Sequence, residues 1–315
     1  MTGRRVRRGS PSRRPPTGSA ASGRATRRRT GPGTGAIPLA AILAGGLTGL
    51  ADAGRLRAQE LRTISYSRQV TDEEFIEVEV QYGIGDLTVR GGAPGLLYRA
   101  RMRFHEQLAT PTAVYADGRL EFGIEPVEDM ESEGLSELPS MHLELPSSVP
   151  MDLTLFFLGG TADVDLSGMP IRALDLTNGA SESTVSVSEV NPERMTSAKI
   201  NVGVADFTAT GLGNLNASEV EVVAGLGVVT LGLDGEWPND SHLSIGLGLG
   251  AMRIEIPASL AVRVQRDSGF FSTFVAARFE KDGDTYTSDN WEDAGRRLEI
   301  DLSATLGSVE FIWLP

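Results

Sequence analysis

Apolar and polar residues alternate with period two through most of this chain, and the alternation restarts after glycine at regular intervals. The stretch GIGDLTVRG at 83–91 sets the form. It recurs as LGGTADVDLSG at 158–168, NGASESTVSVS at 178–188, VGVADFTATG at 202–211, GLGVVTLGLDG at 225–235 and GLGLGAMRIEIP at 246–257. The first apolar anchors after the glycines are Val164, Val185, Phe207, Val229, Met252 and Val275, at spacings of 21, 22, 22, 23 and 23. A steady period of this length marks stacked repeats. A second alternating segment precedes each glycine, and its period places Leu174 with Leu176, or Val220 with Val222, on one face. Each repeat therefore predicts strand, glycine bend, strand and loop. One such coil cannot bury its inward stripe alone. Stacked at about 4.8 Å per coil, the stripes merge into one aliphatic column. The expected fold is all-β: a β-solenoid-like stack of about 22-residue coils with hairpin-rich caps.

The same pattern decides what Gly83 and Gly85 are for. A phosphate-binding glycine loop needs a helix N-terminus behind it. Here strand follows strand, and 59–315 shows no sustained 3.6-residue apolar period. Gly83 and Gly85 are expected at a corner, where a side chain would obstruct the bend or the next coil.

The ends depart from the period. From Leu87 to Val164 is 77 residues, with alternating stretches at 96–104, 111–124 and 141–153 and an acidic loop at 127–137. This predicts a hairpin-rich N-terminal cap. An insertion at 280–297 precedes the last strand pair. Atypical end units protect the open edges of a stack. The expected organisation is a leader at 1–58, an N-terminal β cap at 59–150 and the repeat region with its C-terminal cap at 151–315.

Charge separates the leader from the rest. Of 29 basic and 42 acidic residues, 12 arginines and one acid fall in 1–58, leaving 17 basic against 41 acidic residues and a net of −24 for 59–315. A body so acidic repels nucleic acid and anionic lipid at long range, so no nucleic-acid partner is expected. The leader has Arg27, Arg28 and Arg29, then the apolar run Ile37–Ala51, then small residues up to Ala53 and Ala58. That order is the plan of a secretory signal, with cleavage after Ala53 or after Ala58. An uncleaved anchor is the other reading, and residues 1–25 are long for a signal and fit a start placed too far upstream. Ile37–Ala51 falls short of the roughly 20 residues of a membrane span. The mature chain is expected to carry no integral membrane span and, with no cysteine, no disulfide.

Candidate chemistry is sparse. His105, His142 and His242 are scattered, and neither a zinc spacing nor a serine-hydrolase signature is present. Paired acids occur at Asp163 with Asp165 and at Asp282 with Asp284. Asp163, Asp165 and Asp206 make the most enzyme-like set. Anchor spacing aligns Asp163 with Asp206 two coils apart, with Thr184 between and no arginine beside them. It aligns Asp165 with Ser186, Thr208, Thr230 and Arg253. Asp282, Asp284 and Asp289 offer oxygen ligands for calcium, without the full loop pattern that binds it, and an acidic turn is the default. Trp237, Tyr286 and Trp291 either meet a partner or pack loops onto the stack. No catalytic, cofactor or metal residue is assigned, and no cofactor is expected.

Residues 75–104 (FIEVEVQYGIGDLTVRGGAPGLLYRARMRF), 158–188 and 198–212 resemble the bacterial toast-rack family, and 244–264 with 286–315 resemble the Lia-type C-terminal domain of cell-wall-active-antibiotics response proteins. The resemblance implies a β-rich, envelope-associated, non-enzymatic protein, linked to envelope-stress responses. Lia-type proteins carry several membrane helices ahead of this domain, whereas only a signal-like segment stands here, which counts against direct inhibition of a membrane kinase. The expected function is that of an exported bacterial structural or interaction module, in the periplasm, on the outer surface or outside the cell. Its partner is an unknown envelope protein or a glycan. The alternatives are a polysaccharide-acting β-helix enzyme, or an adhesin or ligand sensor that uses the acidic surface.

Overall fold

The computed structural model describes residues 61–126, 137–238, 241–267 and 273–315. The leader and residues 127–136 of the acidic loop at 127–137 lie outside the described residues. In chain order the first strands are β1 (Leu61–Gln69), β2 (Ile76–Gly91), β3 (Leu96–His105), β4 (Ala109–Ala116), β5 (Arg119–Pro126) and β6 (Ser140–Leu145). Then come β7 (Met151–Asp165), β8 (Ile171–Ser186), β9 (Met195–Thr210), β10 (Ala217–Gly232) and β11 (His242–Pro257). The last are β12 (Leu260–Arg266), β13 (Thr273–Ala276), β14 (Phe279–Asp282), β15 (Thr285–Ser288) and β16 (Arg296–Leu314). All belong to one sheet, ordered β1-β3-β6-β2-β7-β8-β9-β10-β11-β16-β12-β15-β14, with β4, β5 and β13 off this path. The fold is the expected all-β, solenoid-like stack.

Its centre is seven long parallel strands: β2, β7, β8, β9, β10, β11 and β16. Each supplies both strands of the predicted coil as one continuous strand that bends at its glycines. In β2 the buried side chains are Ile76, Val78, Val80 and Tyr82, then Leu87 and Val89. The parity switches across the bend, so both halves of the strand point their apolar faces into the same interior. Gly85 stands at this corner with φ of 142°, and a Cβ there would meet the Pro139 carbonyl oxygen at 2.1 Å. Gly83 has nothing within 4 Å of an added Cβ, so only Gly85 is required by close approach.

The interior is a set of aligned columns. Val80, Leu155, Leu176, Ile200, Val222, Ile245 and Leu302 form one in the first halves. Leu87, Ala162, Ser183, Phe207, Val229, Met252 and Val309 form another in the second halves. Every member is buried. Two expectations fail here. Val275 is 47% exposed, and the next inward residue of the Met252 column is Val309. The chain leaves β11, builds β12 to β15 further out, and returns β16 into the place beside β11. The local 23-residue spacing to Val275 thus has no structural counterpart, and Phe274, opposite Val309, is the side chain packed on the core. In addition β8 and β9 are offset by 24 residues, Ala173 against Ser197, because Ser183 stands in the Phe207 column. A buried serine reads as an outward position, so the apolar anchors alone skip past it.

Both caps are coils cut in two. At one end β5 pairs with the first half of β2 and β6 with its second half. At the other end β12 and β13 do the same to β16. Opposite the glycine bend, buried asparagines satisfy the turning backbone. Asn191 Nδ2 donates to Ile171 O at 2.7 Å and Leu215 O at 3.2 Å, and Asn214 Nδ2 donates to Val187 O at 2.9 Å. Such side chains stand in for ladder partners that a turn cannot supply.

Candidate functional site

Outward residues form ladders as regular as the inward ones. On the second halves, Thr88, Asp163, Thr184, Thr208, Thr230, Arg253 and Glu310 make one row. Asp86, Thr161, Glu182, Asp206, Val228 and Ala251 make the row beside it. Asp163 and Asp206 are therefore not in one row, which corrects the alignment drawn from anchor spacing. Two coils and two residues apart, they stand about 12 Å from each other, beyond the span of an inverting glycosidase pair. Asp165 aligns with Ser186 and Thr210, not with Thr208. An arginine does lie beside the acids: Arg90 donates to Asp163 at 2.9 Å. Asp165 instead accepts from the Ser167 backbone N–H at 3.0 Å and caps its own loop. The pair that spacing missed is Glu182 directly opposite Asp206, two exposed carboxylates on adjacent strands.

The first-half surface is more acidic. Glu77, Asp152, Ala173, Ser197, Glu219, His242 and Glu299 lie along one row. Arg119 at the cap is shared by Glu79, by Glu121 at 2.9 Å and by Glu77 at 3.7 Å, and these bonds hold its guanidinium above the usual range. Burial raises the Asp152 carboxyl, Arg172 opposes that shift, and Glu77 adds to it. An open depression of about 440 Å³ lies beside this row, lined by Phe75, Glu77, Ala116, Asp117, Gly118 and Arg119. Its Arg119 is already shared among carboxylates, and its lining holds no nucleophile beside a base. Inside the stack, a void of about 20 Å³ touches Asn178 and Ser183, which is room for one water.

The remaining candidates resolve into packing. Trp237, Tyr286 and Trp291 are 4%, 8% and 8% exposed, which removes them as partner contacts. Trp237 donates to Leu233 O at 2.8 Å, and Trp291 lies under the Arg263 guanidinium at 4.1 Å. In the acidic turn, Asp284 binds Arg266 at 3.2 Å and Asp289 binds Arg278 at 3.0 Å, while Asp282 pairs through its backbone with Thr285. Two of the three carboxylates of the calcium reading are thus held by separate arginines. His105 is buried against Glu137 O at 3.0 Å, and His242 reaches Asp301 at 3.1 Å. Among the described residues no three of His, Asp and Glu gather as a metal-binding group. None of their helices is long and apolar enough to cross a membrane.

These features define a class of protein: a bent-strand rack whose surface is a set of ladders. Residues 57–210 match the family model for the N-terminal domain of toast_rack, DUF2154. Through those residues the chain belongs to the toast-rack family. The match ends at Thr210, the last residue of β9, and β10, β11 and β16 continue the same pairing beyond it. Among solved structures, the chain is similar to a candidate cell adhesion protein from Clostridium sporogenes, at 15% identity over 81% of this chain and 100% of that one, with a TM-score of 0.41. It is similar also to a candidate adhesin from Bacteroides fragilis, at 12% identity over 80% of this chain and 97% of that one, with a TM-score of 0.34. At these values neither likeness bears on function. No curated protein matches the chain.

Proposed function

We propose that residues 59–315 act as an exported, non-catalytic interaction module of the bacterial cell envelope, with the leader at 1–58 directing export. The observation that carries this reading is the ladder surface. Side chains stand one per coil on flat parallel strands, and the acids among them are spread along rows or engaged by arginines. Catalysis needs a nucleophile, acid or base held in a sheltered, perturbed site. Repeated ladders suit contact with an extended partner, an envelope protein or a glycan. The toast-rack match agrees with this reading, and the Lia-type resemblance of the C-terminal part extends it to envelope stress.

The rival is a polysaccharide-cleaving enzyme built on Asp163, Asp165 and Asp206. A folded Asp163→Asn, Asp206→Asn double variant is expected to match the parent in any envelope phenotype, and the parent is expected to leave cell-wall and capsular polysaccharides uncut. Polysaccharide cleavage by the parent, lost in the double variant, would replace this reading with the enzyme.

A further inference from the structure

The outside of the glycine bend carries a row that the core does not need. Ile84, Gly159 and Ala180 are its members on β2, β7 and β8. The row continues through Val204, Leu226, Leu249 and Leu306 on β9, β10, β11 and β16. No polar residue interrupts it in seven coils. Ile84 is 51% exposed, Val204 55%, Leu226 44%, Leu249 45% and Leu306 55%. Of the 13 exposed large hydrophobics among the described residues, eight lie at or next to this bend, the others being Leu158, Val223 and Val228. Gly159 interrupts the exposure on β7, but from Val204 to Leu306 four large aliphatics stand exposed in register on successive strands, and such a strip, unlike single exposed aliphatics, marks a contact surface. The apex of the bend points to solvent, so Asn, Ser or Lys would fit there without disturbing the interior. Apolarity at this position is not explained by folding.

The setting restricts the occupant. The ridge is convex. Leu226 and Leu249 are each flanked by two glycines, which place no side chain against them. Over the last three coils the neighbouring outward positions are Val223, Gly246 and Ser303 on one side and Val228, Ala251 and Ser308 on the other. None is charged. Over the first coils Asp86, Glu182 and Asp206 stand beside the row instead. From Val204 to Leu306 three coil steps make the ridge about 14 Å long, and at a width of about 10 Å its footprint is about 140 Å². Two copies joined ridge to ridge would bury about 300 Å² in all, far below the roughly 1,000 Å² of a specific interface. They would also bring two strongly acidic bodies together. A rigid protein partner would need a groove cut to this convex edge, whereas a lipid interface deforms around it.

We infer that the ridge from Val204 to Leu306 docks the rack, lengthwise, onto the surface of an uncharged lipid bilayer. The aliphatic tips enter the headgroup boundary, and the acidic rows of both faces remain in water. The acids disfavour anionic lipid, so zwitterionic membrane is the preferred surface. The inference goes beyond the envelope reading. A chain retained in the cytoplasm would sink that reading and leave lipid binding measurable.

The test is flotation of residues 59–315, which contain every described strand, with phosphatidylcholine vesicles. Circular dichroism of each variant checks the fold. The parent is expected to float, more weakly when phosphatidylglycerol is added. Leu226→Ser, Leu249→Ser, Leu306→Ser combined should lower partitioning at least about tenfold, from the exposed apolar area removed. A separate Leu249→Trp variant should shift its emission to the blue on phosphatidylcholine, relative to the parent with Trp237, Trp291 and Trp313. That variant decides the matter if the triple variant misfolds. A parent that does not float, a folded triple variant that floats like the parent, or an emission of the Leu249→Trp variant unmoved by lipid would each overturn the inference. A parent dimer dissociated by the triple variant, with no flotation, would assign the ridge to a second copy instead.

Discussion

Phe207→Asp or Val229→Asp is expected to unfold the rack at concentrations of urea that leave the parent intact. Phe207 is fully buried and Val229 is 1% exposed, in the column between Ser183 and Met252. Truncating a buried Phe alone costs about 3–5 kcal/mol. An unpaired carboxylate in the same place adds its desolvation, so a loss of about 5 kcal/mol or more is expected, comparable to the whole stability of many domains. Thr208→Asp and Thr230→Asp, one residue along, face outward and should change stability by less than about 1 kcal/mol. Urea titrations of 59–315 followed by circular dichroism give the comparison. Equal tolerance of both pairs would mean the strands are in another register, since a one-residue slip exchanges the two faces.

The second large effect is expected at the bend. Gly250 has φ of 143°, and a Cβ there would lie 2.0 Å from the Gly227 carbonyl oxygen of the neighbouring coil. Gly250→Ala meets two costs at once: a backbone conformation that only glycine adopts easily, and backbone against backbone, which cannot rotate aside. Together these are expected to cost about 4 kcal/mol. Gly83→Ala, on β2 with open space around it, should be close to neutral. Melting temperatures of the two variants separate them, and a tolerated Gly250→Ala would mean the coils are not packed through their bends.

Much of this was legible in the chain. Val164, Val185, Phe207, Val229 and Met252 all point inward as the alternation requires, because period two is imposed by strand geometry itself. What failed was long-range. Nothing in the alternation at 273–276 reveals that β16 takes the place beside β11, since a short strand looks the same wherever it pairs. The split caps were hidden for the same reason: β5 and β6 flank one strand but are separated by the acidic loop. Ser183 escapes the pattern because a buried hydroxyl, bonded here to Ser181 at 2.8 Å, is indistinguishable in sequence from a solvated one. That single residue displaces Asp163 from Asp206 and accounts for the enzyme-like set. The aromatic residues Trp237, Tyr286 and Trp291 lie in segments with turn chemistry, and their burial depends on arginines and glycines distant in sequence, such as Arg263 and Gly213. The apolar ridge stands in each of the last four repeats, but at one residue per coil it reads as part of the glycine motif until the coils are stacked.

Export to the envelope is tested most directly by fractionating the native bacterium and sequencing the N-terminus of the recovered chain. The predicted result is protein in the envelope fraction or the medium, starting at Gly54 or Gln59. A chain found intact in the cytoplasm, beginning at Met1, would contradict it.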